Sequence, residues 1–321
     1  MKKFSLFIVL IILSMGLFGQ AQNDSIFLSS EIVLKTPTGE IFGTLTTPDN
    51  SKLTPLILIV PGSGPTDRDC NSPFGIQTNA FKMLSENLAK NGISTLRFDK
   101  RGISKSKPAM TSESELRFDT YINDVIDWVS LLKSDSRFSS IIILGHSEGS
   151  LIGMIAAGQT NVAGFISISG VGKSADKVLQ EQLKTKLPPQ LLDESNIILD
   201  SLKMGKLVSN VNPSLVALYR PSVQPYMISW IKYNPANEIS KLKIPVLIIQ
   251  GTTDLQASIV DSKLLSDAKP DAKLLIIDNM NHVLKEVDSD IQKNIASYRN
   301  PALPLKAGLT DEIVNFIKNI K

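Results

Sequence analysis

The chain has 321 residues, of which 42% are hydrophobic and 20% charged, and a net charge of +3. This is an ordinary globular composition, and the length fits one large α/β domain with an insertion, or two smaller domains. The basic residues are scattered, with no arginine-rich stripe and no interleaving with aromatics, so no nucleic-acid partner is expected. Cys70 is the single cysteine, which excludes an intramolecular disulfide and a multi-cysteine metal site.

The N-terminus reads MKKFSLFIVLIILSMGLFGQAQNDS. Lys2 and Lys3 form a positive start, Phe4 to Phe18 is mostly apolar, and Gly19-Gln20-Ala21 places small residues at a cleavage position. Residues 1–21 read as a secretory signal peptide. The apolar run is shorter than the ~20 residues a spanning helix needs, and no cysteine follows it closely. Export to the periplasm or the exterior is therefore expected, without a stable membrane anchor after cleavage.

From residue 22 the elements follow in order. Glu31–Thr36 and Ile41–Thr47 flank Pro37-Thr38-Gly39-Glu40 and read as a hairpin. The runs LILIV (56–60), ISTLRF (93–98), IIILG (141–145), FISIS (165–169), PVLIIQG (245–251) and KLLIID (273–278) are short and rich in Ile, Leu or Val. Such continuous apolar runs suit strands covered on both faces, as in a parallel sheet. Helical patterns lie between them at 79–90, 119–133, 148–158, 258–267 and 310–320; the first ends at Asn91-Gly92, a C-cap signal. The alternation predicts a mostly parallel sheet with helices on both faces. Residues 173–240 break the rhythm with six prolines and Tyr219, Tyr226, Trp230 and Tyr233. They read as a cap inserted into the core, which leaves 22–172 and 241–321 as its two parts.

IIILGHSEGSLIGMIAAG (141–158) carries Gly145-x-Ser147-x-Gly149 between a strand and a helix. A nucleophile elbow needs that context, because the serine sits on a strained turn that requires small neighbours on both sides. A serine hydroxyl also needs a base. There are two histidines; His146 lies inside the elbow and should point away from Ser147, which leaves His282, in the loop after the last strong strand pattern. The base in turn needs a carboxylate to orient its ring. Chain order favours Asp254, after the next-to-last core strand. Its rival is Asp278, four residues before His282, while Asp261 reads as an exposed helix position.

An acyl-transfer site also needs N–H donors for an oxyanion. One is the residue after the nucleophile, Glu148. The other belongs to the loop PGSGPTDRD after LILIV, where Ser63 is the first choice and Gly64 the alternative. A phosphate-binding loop is excluded here, because no Lys-Ser/Thr ending or helix start follows. Asp67, Arg68 and Asp69 read as charges that hold this loop, and RFDKRG (97–102) as a turn with buried charge pairing. Cys70 reads as a packed or half-exposed thiol, not a nucleophile.

PGSGPTDRD, LRFDKRGISKS, LGHSEGS, IPVLIIQGTTD and NMNHVLK, in this order, resemble the α/β-hydrolase superfamily, in particular bacterial secreted or periplasmic serine esterases grouped with serine aminopeptidase-like hydrolases. The resemblance implies an α/β-hydrolase fold with a helical cap between the sixth and seventh core strands. It also implies Ser147, Asp254 and His282 as a triad with Ser63 and Glu148 as oxyanion donors. Cys70 and Ser104 depart from the pattern, since both stand where such loops carry glycine. The expected activity is hydrolysis of a small to medium carboxylic ester through an acyl-enzyme, with no metal or cofactor implied. An exopeptidase and an acyltransferase are the alternatives. The exopeptidase would need an anionic anchor in the cap, for which Asp193, Glu194 and Glu238 are candidates. A non-enzymatic binding module would ordinarily lack a triad member. Tyr219, Tyr226, Met227 and Trp230 are candidates for lining the acyl pocket or for forming the cap's own core.

Overall fold

The computed structural model describes residues 26–49 and 52–320; the expected signal peptide lies outside them. An eight-stranded sheet runs through the molecule. Its strands are β1 (Phe27–Thr36), β2 (Gly39–Pro48), β3 (Thr54–Val60), β4 (Ser94–Phe98), β5 (Phe138–His146), β6 (Gly164–Ile168), β7 (Val246–Gly251) and β8 (Lys273–Ile277). The order across the sheet is β1-β2-β4-β3-β5-β6-β7-β8. β1 and β2 form an antiparallel hairpin and β2 pairs antiparallel with β4. Every later pairing is parallel.

The apolar run of β3 explains the layering. Successive side chains of a strand point to opposite faces. Leu56, Leu58 and Val60 enter one core cluster, whereas Ile57 and Ile59 enter the other. On the first face lie α2 (Phe118–Lys133) and α3 (Glu148–Gln159). On the second lie α1 (Ala80–Lys90), through Phe81, Leu84 and Leu88, and the C-terminal helix through Leu309 and Ile313. Helix α2 buries Ile122, Val125, Val129 and Leu132 at helical spacing. Helix α3 is buried almost all round, which suits its near-uniform apolar sequence. Each of these large side chains contributes about 1.5–3 kcal/mol on burial.

Between β6 and β7 the chain makes an excursion. It contains α4 (Ala175–Lys184), α5 (Pro189–Lys203), α6 (Val216–Tyr219), α7 (Gln224–Ile231) and α8 (Pro235–Ser240). Helices α4 to α7 surround their own apolar cluster of Ile198, Leu199, Leu202, Tyr219, Met227 and Ile231. Ile239 of α8 already belongs to the main core. After β7 come α9 (Ile259–Ala268), then β8, α10 (Ile291–Ser297) and α11 (Leu309–Lys318). Asp261 is buried rather than exposed. Its carboxylate completes a capping box with Ser258 at the start of α9 and accepts the Gly172 N–H at 3.1 Å. The bond to Gly172 has no local signal because its partner is 89 residues away, whereas the capping box is a local Ser-x-x-Asp pattern that the reading of Asp261 as exposed overlooks.

Candidate active site

β5 ends at His146 and α3 begins at Glu148, so Ser147 alone forms the turn. Its backbone has φ 54° and ψ −124°, a conformation that costs a non-glycine residue of order 1–3 kcal/mol. The neighbours enforce it. A Cβ at Gly145 would run into the Gly149 carbonyl, and one at Gly149 into the carbonyls of Val60 and Pro61. The Ser147 N–H is tied to the Ile168 carbonyl of β6 at 3.0 Å.

His282 and Asp254 come from the loops after β8 and β7. Nδ1 of His282 lies 2.9 and 3.0 Å from the two Asp254 oxygens. An ionised carboxylate only accepts, so Nδ1 carries the proton and Nε2 keeps its lone pair. The Asp254 side chain is fully buried and accepts N–H bonds from Gln256 at 2.8 Å and Ala257 at 3.0 Å. Burial alone would raise its pKa, but His282 and these N–H donors outweigh burial and hold the carboxyl at about 2. Asp278, the rival carboxylate, is exposed and makes no hydrogen bond to His282.

His146 is also buried. Its Nε2 donates to the His282 backbone carbonyl at 2.8 Å, and the two rings lie 4.7 Å apart. Burial, then the neighbouring His282, push its pKa down to about 3, so it is neutral. The histidine inside the elbow therefore bonds the loop that carries the second histidine.

Ser63 and Gly64 follow β3 on an exposed loop, and Gly64 has φ +71°. The side-chain charges behind it pair with residues outside the loop rather than with one another. Arg68 pairs with Asp99 at 2.7 Å, Arg97 with Asp69, and the Asp67 carboxylate accepts the N–H groups of Asp69 and Asn71. RFDKRG contributes every buried partner, since Lys100 pairs with Glu148 and Arg101 with Asp124 as well. Cys70 and Ser104 both take left-handed backbone angles, φ 70° and 45°. The turns thus keep the glycine-like shape without glycine. Cys70 is buried, and burial pushes its thiol up to about 12. It is not poised to react.

Beside Glu148 lies a cavity of about 340 Å³, bordered by Gly64, Pro65, Tyr121, Glu148, Val223 and Tyr226. Of the four aromatic and methionine candidates of the cap, Tyr226 reaches it. Tyr219 and Met227 lie in the cap's own core instead, with the Tyr219 hydroxyl 2.7 Å from Ser195 Oγ. Trp230 stacks on Phe118. None of the three anionic cap candidates borders this cavity: Asp193 is exposed, Glu194 accepts from Asn212, and Glu238 pairs with Lys241. Lys100 was absent from the expected site set, and it emerges only from the fold. Its Nζ donates to the Gly62 carbonyl at 2.6 Å and sits 3.3 Å from Glu148. Among the described residues, no cluster of three or more His, Cys, Asp or Glu is arranged to hold a metal ion.

The sheet order, the strand–serine–helix turn and the two loops opposite it define the α/β-hydrolase fold. A family model described as serine aminopeptidase, S33, matches residues 74–229. That span includes Ser147 and most of the cap but stops before Asp254 and His282. Among sequence relatives, esterase EstD of Thermotoga maritima is 28% identical over 250 residues, 75% of this chain and 57% of the relative. Monoglyceride lipase of Rattus norvegicus is 25% identical over 56% of this chain and 63% of its own length. The chain thus spans about six-tenths of the length of each of these two relatives. Among solved structures, Est1E of Butyrivibrio proteoclasticus superposes with a TM-score of 0.57 at 17% identity, over 90% of this chain and 99% of that one. The Pyrococcus furiosus esterase PF2001 superposes with 0.55 at 16% identity, over 92% of each.

Proposed function

We propose that this protein is a serine hydrolase of carboxylic esters, with Ser147 as nucleophile. The observation that carries the reading is the strained Ser147 turn, which only the two flanking glycines permit and which holds the side chain at the strand-to-helix apex. Ser147 Oγ attacks the ester carbonyl while Nε2 of His282 takes its proton. The tetrahedral oxyanion accepts the N–H groups of Ser63, or alternatively Gly64, and Glu148. His282 then returns the proton to the leaving alcohol. Water activated by the same Nε2 releases the acid. Asp254 holds the tautomer that frees Nε2 and stabilises the imidazolium while it exists.

Support comes from the Asp254–His282 pair and from the esterase and lipase among the sequence relatives. A small to medium ester matches the cavity of about 340 Å³ beside Glu148. A fluorophosphonate should label wild-type Ser147, and Ser147→Ala should lose labelling and about 10⁴-fold or more in turnover. Near-full esterase activity in that variant would refute the assignment. The aminopeptidase alternative is favoured by the description of the matching family. Acyl nitrophenyl esters tested beside aminoacyl anilides separate the two, because turnover of the anilides alone selects the peptidase. An acyltransferase would use the same groups, and product analysis with a competing alcohol distinguishes it. Export follows from the N-terminal pattern; N-terminal sequencing of the mature protein should begin after Ala21.

A further inference from the structure

Lys100 follows β4, and its side chain is 3% exposed. A buried ammonium must be paired and hydrogen-bonded to be tolerated. Its partners are the Gly62 carbonyl at 2.6 Å, the Glu148 carboxylate at 3.3 Å and the face of Tyr121, 4.9 Å from the ring centre. The first two belong to the residues on either side of the oxyanion position.

The Gly62 carbonyl and the Ser63 N–H are the two ends of one planar trans peptide unit, and they point in opposite directions. A cation bonded to the carbonyl therefore fixes the direction of the Ser63 N–H. It also polarises the amide, which makes that N–H a stronger donor. Glu148 presents a different problem. Its N–H is one of the free donors at the start of α3, yet its buried carboxylate places a negative charge beside the point where an oxyanion develops. Lys100 offsets that charge. A first-turn glutamate commonly turns back onto N–H groups of its own helix end. Here one carboxylate oxygen is taken by Lys100 and the other by the Tyr226 hydroxyl of the cap at 2.7 Å, which leaves the helix end open.

We propose that Lys100 is a positioning residue that sets both oxyanion donors at once, and that Tyr226 makes their geometry depend on a seated cap. The inference rests on reading Ser147 as the nucleophile, with Ser63 and Glu148 as the donors. A polar chain of contacts links the cap to the site: Tyr226 hydroxyl to Glu148, Glu148 to Lys100, Lys100 to the Gly62 carbonyl; the Tyr226 ring also packs edge-on against Tyr121, whose face holds Lys100. Burial, then the adjacent Glu148 carboxylate, push the Tyr226 phenol well above its ordinary pKa, so it remains a donor at working pH.

The test measures kcat and KM per fluorophosphonate-labelled Ser147, together with the affinity of an alkyl boronic acid whose adduct places an oxygen at the oxyanion position. Lys100→Met should lower kcat about 10- to 100-fold, somewhat below the loss of an entire oxyanion donor, with KM within about 3-fold. Boronate affinity should fall in parallel, and Lys100→Arg should restore part of both. Tyr226→Phe keeps the ring and should lower kcat by a smaller factor, about 3- to 10-fold. If the lone Glu148 charge prevents Lys100→Met from folding, the double variant Lys100→Met/Glu148→Gln removes both charges and should still show the kcat loss. A merely structural role would change the labelled fraction and leave kcat per labelled site and boronate affinity untouched. That result in folded Lys100 and Tyr226 variants overturns the inference while leaving the esterase reading intact. An unlabelled wild type overturns the esterase reading, and this inference with it.

Discussion

The turn at Ser147 and the helical excursion between β6 and β7, read here as a cap, are held by different physics. At the turn, backbone meets backbone: Gly145 and Gly149 lie where any side chain would strike a carbonyl, and the strands on either side are buried on both faces. The cap has a small apolar core of its own and reaches the body partly through polar side chains. These include Arg220 to Glu113, Lys232 to Asp119 at 2.9 Å, and the Phe118 N–H to Ser229 at 2.7 Å. Steric constraints of the first kind have no graded solutions, because interiors are close-packed. The exposed ion pairs among these contacts are individually weak and replaceable. On the proposed function, the chemistry falls on the rigid part and the cavity border on the part that tolerates change.

Four measurements probe this contrast. Asp254→Asn should leave the turn intact yet reduce kcat by about 10⁴-fold, since an amide cannot hold the Nδ1–H tautomer; steady-state ester hydrolysis with a matched melting temperature checks it. Gly149→Ala should destabilise the protein by about 3 kcal/mol, the upper end for overpacking, in denaturant titrations. A cost below about 0.5 kcal/mol would show that the turn is softer than its contacts indicate.

The third measurement is the pH dependence of stability. His146 has a folded pKa of about 3, whereas an unfolded histidine titrates near 6.5. The unfolded chain therefore binds the extra proton first, and stability falls as pH drops below about 6.5. The loss should reach roughly 2 kcal/mol by pH 5, and His146→Gln should flatten that slope while keeping a donor for the His282 carbonyl. Asp254, held at about 2, adds its own loss only below about pH 4. Arg220→Ala, in the half-exposed rim of the cap, is expected to cost less than about 1 kcal/mol. Its effect should appear in KM more than in melting temperature. A large stability loss there would mean that the cap is as rigidly built as the turn.

Much of this was legible in the chain. Six apolar runs mark six of the eight strands to within three residues, because a strand buried on both faces leaves a continuous Ile/Leu/Val signature. The hairpin at 71–77 and helix α10 carry no comparable signal, since both are short and lie at the surface. Cys70 and Ser104 look like broken glycine positions in the sequence, yet the backbone stays left-handed at both. Of the cap aromatics, Tyr219 and Tyr226 have opposite fates: one fills the cap core and the other faces the cavity.

What the sequence determined by itself was local. A serine between two glycines, after four branched or leucine residues and before a helix, has few conformations open to it. With two histidines in the chain and one inside that motif, His282 was the one left over as a candidate base. The tertiary structure decided which carboxylate meets His282, what lies under Glu148, and that His146 bonds the loop bearing His282. Those contacts join residues that are 28, 48 and 136 positions apart. Local sterics are written in neighbouring residues, whereas the partner of a buried charge is chosen by whichever distant loop the sheet brings to the same edge.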